Sequence, residues 1–228
     1  MLLTYAMGDI HGSEELLLMM LRLISEHSRG RRHQIITLGD YCDRGPHSKG
    51  VFDILRARRD IKKLRGNHEE MLLTAYRNPM DYTAQQHFVG NGGDKTLASY
   101  EVARAADLPD DLIEWLINET HFYHEDDLRV FVHAGVSWRE PDMTKQRQDV
   151  MQWIREGFLD HHQPFFKHIV HGHTPQWSGK PHPEKPELRT NRTNLDTAAY
   201  YTGILTCGVF DDTVAEPLEI LTVDIRYP

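Results

Sequence analysis

Three short polar blocks, each set directly after an apolar run, constrain this chain most: Gly-Asp-Ile-His-Gly at 8–12, Gly-Asp-Tyr-Cys-Asp-Arg-Gly at 39–45, and Gly-Asn-His-Glu at 66–69. The runs at 2–7, 34–38 and 61–64 read as strands, and each block is followed by helical pattern, at 16–24, 46–59 and 69–76. Ser13 stands where a helix cap stands, ahead of Glu14 and Glu15, which suit the positive end of a helix dipole. Strand, block and helix in repetition predict an α/β sheet. Its ligand-bearing turns should gather at the carboxyl ends of the strands, where open sheets place their sites.

The 228 residues fit one domain, 1–228, and a hydrophobic content of 39% can build a core. From 78 to 127 the pattern is helical, including 97–106 and 109–118, with no buried-strand signal until about His121; this reads as a helical insertion beside the site. Asn91-Gly92-Gly93-Asp94 reads as a turn and helix start. A fourth strand at 129–132 ends at His133, and Ile169-Val170 leads into His171-Gly172-His173-Thr174. Prolines with Lys180, Lys185 and Arg189 mark 175–192 as a solvated loop, and 201–209 and 218–225 alternate enough for two strands of a second sheet.

A formal charge of −8 argues against nucleic acid as a tightly held partner, since phosphate backbones are bound by clustered Lys and Arg. It leaves a phosphorylated substrate open, because bound cations and a few arginines reverse the field locally. Cys42 and Cys207 make neither a disulfide framework nor a zinc-finger spacing. No leader pattern opens the chain, and no apolar run approaches the ~20 residues of a membrane span. The expectation is a cytoplasmic protein without a membrane partner.

The blocks carry the donors that hard divalent cations take: carboxylate, amide carbonyl and imidazole. Asp9 and His11 can converge on one cation from a tight turn. Asp40, ending the next strand, can bridge two. Asn67 offers a carbonyl oxygen, and His133 and His173 offer neutral imidazoles. Two cations held close together can activate a water and clamp a phosphate for in-line attack, with no covalent protein nucleophile. His68 is then left to protonate the leaving group, Asp43 to orient that imidazole, and Arg44 to grip phosphate oxygens bidentately. His171, two residues from His173, is assigned to supporting contacts or the core. Cys42 is expected to point away from the ligands.

These blocks, completed by Val-His-Ala-Gly at 132–135 and Gly-His-Thr-Pro at 172–175, resemble the phosphoprotein phosphatase family of the calcineurin-like metallophosphoesterases. The short length, the His-Ala-Gly form and the Asn-Gly-Gly segment look like the bacterial and phage lambda-type serine/threonine phosphatase branch, which includes symmetrical diadenosine tetraphosphatases. The resemblance implies a four-layer α/β fold (α+β in some schemes), a central β-sandwich flanked by helices. It implies Asp9, His11 and Asp40 on the first metal, and Asp40, Asn67, His133 and His173 on the second. Manganese is expected, with iron, zinc, nickel or cobalt as alternatives. His68 with Asp43 would form the acid pair, and Arg44, Asn67 and Arg155 would contact phosphate. Outside this branch a Gly-His-x-His ending is common; Pro175 fills its last place here. One departure is Asp196-Thr197-Ala198-Ala199, where the branch often reads Asp-Thr-Gly-Ala.

The leading expectation is hydrolysis of phosphoserine or phosphothreonine, with phosphotyrosine and small phosphoesters in range. The rival is symmetrical hydrolysis of diadenosine tetraphosphate. A non-catalytic phosphate-binding protein would be expected to lose His68, Asp43 or a ligand. A nuclease is disfavoured by the acidic charge and the absent Gly-His-x-His ending.

Overall fold

The computed structural model describes residues 2–176 and 184–226. In chain order its elements are β1 (Leu3–Met7), α1 (Glu14–Ser28), β2 (His33–Thr37), α2 (Ser48–Ala57), β3 (Ile61–Leu64), α3 (Asn67–Arg77), α4 (Tyr82–Phe88), α5 (Asp94–Ser99) and α6 (Asp110–Asn118). Then follow β4 (Thr120–His121), β5 (Tyr123–Glu125), β6 (Arg129–Val132), α7 (Gln148–Trp153), β7 (His168–His171), β8 (Glu187–Leu188), β9 (Arg192–Asn194), α8 (Ala199–Thr202), β10 (Ile204–Phe210) and β11 (Glu219–Asp224).

The strands form two sheets, ordered β11-β10-β1-β2-β3-β4 and β5-β6-β7-β9-β8. Period-two alternation explains how they stack. Ala6, Ile36, Leu38, Leu64 and Phe210 from the first sheet meet Phe131 and Val170 from the second in a shared core. The alternate residues Tyr5, Met7 and Ile35 face α1, α2, α3 and α6, which bury Leu17, Phe52, Leu72 and Leu112 against them. Val130, Val132 and Ile169 face the other way, onto Met151 of α7 and Phe158. Helices, sheet, sheet and a thinner helical layer make the expected α/β sandwich. Among the described residues no helix is long and apolar enough to cross a membrane.

Four details differ from the sequence reading. The tail strands do not open a second sheet: β10 pairs antiparallel with β1, Tyr5 opposite Val209, and β11 extends that sheet. Alternation shows that a strand has two faces but not which neighbour it joins, and β10 covers what would be a free edge of β1. The helix expected over 97–106 stops at Ser99, because Glu101 turns left-handed (φ 57°) and the Val102 N–H returns to the Leu97 carbonyl at 3.1 Å, a Schellman-type ending. The second half of the 175–192 stretch is not a solvated loop. It contributes β8 and the start of β9 to the second sheet, and Arg192, 1% exposed, lies over the Phe158 ring at 5.7 Å. Residues 177–183, including Lys180, lie outside the described part. Finally, Ser13 occupies the cap position of α1, but its hydroxyl bonds the His11 carbonyl rather than the helix.

Ala198 adopts φ 49° and ψ 53° just before α8, a left-handed conformation where an L side chain crowds its own backbone. A left-handed residue other than glycine costs roughly 1–2 kcal/mol, partly offset by the lower entropy of the unfolded alanine chain. Ala198→Gly should therefore stabilise the fold by about 0.5–1 kcal/mol. Urea denaturation would show this as a raised midpoint; an unchanged or lowered midpoint would contradict it.

Candidate metal and phosphate site

The polar blocks leave the carboxyl ends of strands in both sheets. Asp9 and His11 follow β1, Asp40 follows β2, Asn67 and His68 open α3 after β3, His133 follows β6, and His173 follows β7. The turns that carry them are tight enough to force unusual backbone. Of the eight described non-glycine residues with positive φ, five belong to these blocks: His11, Asp40, Asp43, Arg44 and His173. Strain of this kind persists only where surrounding contacts over-determine it, and it concentrates at functional sites.

Glu69 supplies much of that determination. Its buried carboxylate accepts the N–H groups of Asp40 at 2.9 Å, Tyr41 at 2.7 Å and Gly66 at 2.9 Å, tying the second block to the third. Gly66 and Gly172 lie so close to Asp40 Oδ1 and Asp9 Oδ1 that a Cβ on either would overlap the oxygen. Both glycines act as cradles for carboxylates.

The donor atoms converge. His11, Asp40 and His68 form one group and Asp40, His133 and His173 a second, with donors in each within 4.8 Å of one another and Asp40 common to both. His11 Nε2 is 3.4 Å from Asp40 Oδ2, and His133 Nε2 is 3.4 Å from Asp40 Oδ1 and 2.9 Å from Asn67 Oδ1. Asp9 stands outside those two groups; its oxygens take the His173 N–H at 3.1 Å.

Tautomers sharpen the chemistry. His11 Nδ1 donates to the Cys42 carbonyl and His133 Nδ1 to the Leu38 carbonyl, each at 2.8 Å. A carbonyl only accepts, so both Nε2 atoms present lone pairs to the cluster. His173 Nε2 is buried with no hydrogen-bond partner among the described residues. Lone pairs of imidazole, carboxylate and amide oxygen facing one another fit a cation between them.

Electrostatics agree. Burial, with the charge of neighbouring imidazoles, holds His11 and His133 below their ordinary value and pushes His173 down to about 2, so all three are neutral and ligand-ready. Burial, then Asp196 and Asp40, holds Asp9 well above the usual carboxylate range, a sign of negative charge short of compensation. At Asp40 burial opposes the charge, but the histidines packed around it, with the raised His68 among them, hold its carboxyl below the usual range. His68 moves up: burial opposes its charge, but Asp40 and the hydrogen bond that His68 donates to Asp43 outweigh that.

Asp43 Oδ2 lies 2.7 Å from His68 Nδ1. Arg44 reaches the same place, with Nη1 3.0 Å from His11 Nε2 and its guanidinium 5.2 Å above the Tyr200 ring. Arg44 and Arg155 both line a cleft of about 470 Å³ with Gly90, Asn91, Gly92, His173, Pro175 and Tyr200, so the structure brings the two arginines together. A larger cavity of about 860 Å³, between α3, β4–β5 and residues 143–151, contains none of the site residues expected from sequence. His171 is buried edge-on to Phe158 at 4.9 Å and belongs to neither donor group. Cys42 is buried in the helical core, its thiol 3.5 Å from Glu69.

A sequence model of the calcineurin-like phosphoesterase family matches residues 2–201. The chain belongs to that family. It is 30% identical over 155 residues to a symmetrical bis(5'-nucleosyl)-tetraphosphatase of Nitrosomonas europaea, covering 67% of this chain and 52% of that protein. Serine/threonine-protein phosphatase 1 of Salmonella typhimurium is 34% identical over 90 residues, covering 40% of this chain and 38% of its own. A solved structure described as a candidate diadenosine tetraphosphatase superposes with a TM-score of 0.69 at 20% identity, covering 97% of this chain and 92% of that one, and so shares the fold. The chain spans little more than half the length of the symmetrical tetraphosphatases it matches first.

Sequence reasoning gave no role to Glu69, although it lies inside the third block, or to Tyr200. Thr96, which bonds Asp43, carries no local signal at all, being 53 residues away. Glu69→Gln keeps one acceptor but turns an amide NH2 toward a backbone N–H, and should cost about 1–3 kcal/mol. Denaturant unfolding of the two proteins side by side would measure it; equal stability would deny Glu69 this clamping role.

Proposed function

We propose that this chain is a metal-dependent phosphoester hydrolase in which water attacks phosphorus and His68 protonates the departing oxygen. The observation that carries the proposal is the 2.7 Å Asp43–His68 pair set against the cluster that shares Asp40. On this reading Asp9, His11 and Asp40 hold one divalent cation and Asp40, Asn67, His133 and His173 another, with manganese the expected metal. When bound, the cations supply Lewis acidity toward a phosphate oxygen and toward the attacking water. Arg44 and Arg155 take phosphate oxygens through their planar forks, with Asn67 beside them. His68 donates Nδ1–H to Asp43, which leaves Nε2 to carry the proton for the leaving group. We take 1–228 as one domain; of the 78–127 insertion, the helical part ends at Asn118 and β4 and β5 return the chain to the two sheets.

Two substrate classes fit this chemistry. The blocks resemble those of serine/threonine phosphatases, which supports phosphomonoesters. The relatives named as symmetrical tetraphosphatases support dinucleoside tetraphosphates, and match more of the chain than the serine/threonine phosphatase does. We favour the second reading on that ground. An aryl phosphate, a phosphoserine peptide and diadenosine tetraphosphate, each assayed with manganese and with chelator, would decide. Turnover should vanish with chelation and return with manganese, and the highest kcat/KM should be on the tetraphosphate, with ADP as product. Activity untouched by chelation would refute metal dependence, and preference for the phosphopeptide would restore the phosphatase reading.

Two substitutions separate the roles. His68→Asn should lower kcat by roughly 10²–10⁴-fold while metal content stays near that of the parent. Asp40→Asn should lose bound metal, measured by elemental analysis of the purified protein. Full turnover by His68→Asn on poor leaving groups would remove His68 from the mechanism.

A further inference from the structure

We infer that Thr96, a buried hydroxyl supplied by α5, is a positioning residue for the proton donor: it anchors the Asp43 carboxylate that in turn holds the His68 imidazole. The inference rests on the reading of His68 given above. Thr96 is 0% exposed. Its Oγ1 lies 2.6 Å from Asp43 Oδ1 and accepts the Asp43 N–H at 2.9 Å. A hydroxyl has one proton to give and a carboxylate only accepts, so that proton goes to Asp43. Ser48 Oγ, 3.0 Å from Thr96 Oγ1, then donates to Thr96 and shares the Asp43 N–H at 3.1 Å.

The Asp43 carboxylate therefore spans two anchors, Thr96 on Oδ1 and His68 on Oδ2, and among the described residues its oxygens bond to no other group. The terminal torsion of an aspartate is broad. Held at one oxygen, the carboxylate rocks about that torsion and the imidazole moves with it. Held at both, it fixes the ring. Asp43 also sits at φ 68°, a costly backbone position that the two hydroxyls on its N–H help to hold.

A hydroxyl that mattered only for packing would lower every rate alike. One that positions the proton donor matters where the leaving oxygen needs a proton, and little where it departs readily as an anion. The test uses manganese-loaded Thr96→Val, Thr96→Ser and His68→Asn on 4-nitrophenyl phosphate, phenyl phosphate and an alkyl phosphate. Thr96→Val should lose at least ~10-fold in kcat on phenyl and alkyl phosphate but no more than ~2-fold on 4-nitrophenyl phosphate, with KM and metal content unchanged. Thr96→Ser should restore the parent pattern. A uniform loss, a loss confined to KM, or failure of Thr96→Ser to restore would overturn the inference while a leaving-group-dependent loss in His68→Asn kept the His68 reading intact. If His68→Asn showed no such dependence, that reading would fall and this inference with it. Should Thr96→Val not fold, Thr96→Ala undergoes the same comparison.

Discussion

The site is organised around a carboxylate buried almost completely among imidazoles. Asp40 is 1% exposed, with His11, His68 and His133 reaching its oxygens within 4 Å. Taking a charge that far out of water is expensive unless opposite charge and hydrogen bonds replace the lost hydration. The surrounding architecture serves that replacement. Gly66 cradles one oxygen, the His68 N–H donates to it at 3.1 Å, and Glu69 grips the Asp40 N–H from behind. Because Asp40 follows β2, Asn67 opens α3 and His133 follows β6, this single group also stitches the two sheets together at their carboxyl ends. A cluster so rich in lone pairs and short of positive charge is a chemical argument for cations, independent of any relative.

What was legible in the chain follows from how local each signal is. Asp9, His11, Asp40, Asn67 and His68 lie beside the strands that place them, so alternation followed by a glycine turn sufficed to bring them to one end of a sheet. His133 and His173 were legible for the same reason on the other sheet. The edge on which β10 pairs was not, because an alternating strand shows two faces and no partner. The end of the 175–192 stretch was misread because cations near prolines read as a solvated loop. In the structure the Arg192 guanidinium lies over the Phe158 ring and pairs with Glu187. Arg155 was reachable only by resemblance; nothing about Trp153-Ile154-Arg155 alone indicates a cleft.

The helical stretch between β3 and β4 is more than a flank. Through Gly92, whose carbonyl accepts the Arg44 N–H at 3.1 Å, and through Thr96, it touches Arg44 and Asp43, two of the three left-handed residues of the second block. Gly92 has φ 99°, and a Cβ there would press on the Arg44 backbone, so the close approach depends on that residue being glycine. His87 at the end of α4 stacks on Trp153 of α7 at 5.7 Å, and Trp153 meets His173 edge-on at 6.0 Å. The stretch is thus packed against the blocks from both sheets, and a change in its position would reach Asp43, Arg44 and His173 together.

A net charge of −8 and a phosphate-bearing substrate are compatible because the field is divided in space. Among the described residues no carboxylate lines the cleft, which presents Arg44, Arg155 and His173. The acidic side chains Asp9, Asp40, Asp43 and Asp196 are all buried, and Asp40 lies among the imidazoles of His11, His68 and His133, so they do not line the cleft. On the proposed reading, chemistry at phosphorus falls to the residues around Asp40 and His68. What hangs from the phosphate is met by the rim: Tyr200, Pro175 and the turn at 90–92. On that reading the same groups would serve a phosphomonoester or a dinucleoside tetraphosphate, and discrimination between them falls to the rim. The rim's residues come from the helical stretch (90–92), from the end of the block that follows β7 (Pro175) and from α8 (Tyr200), so they are gathered by the fold and not by the first three blocks.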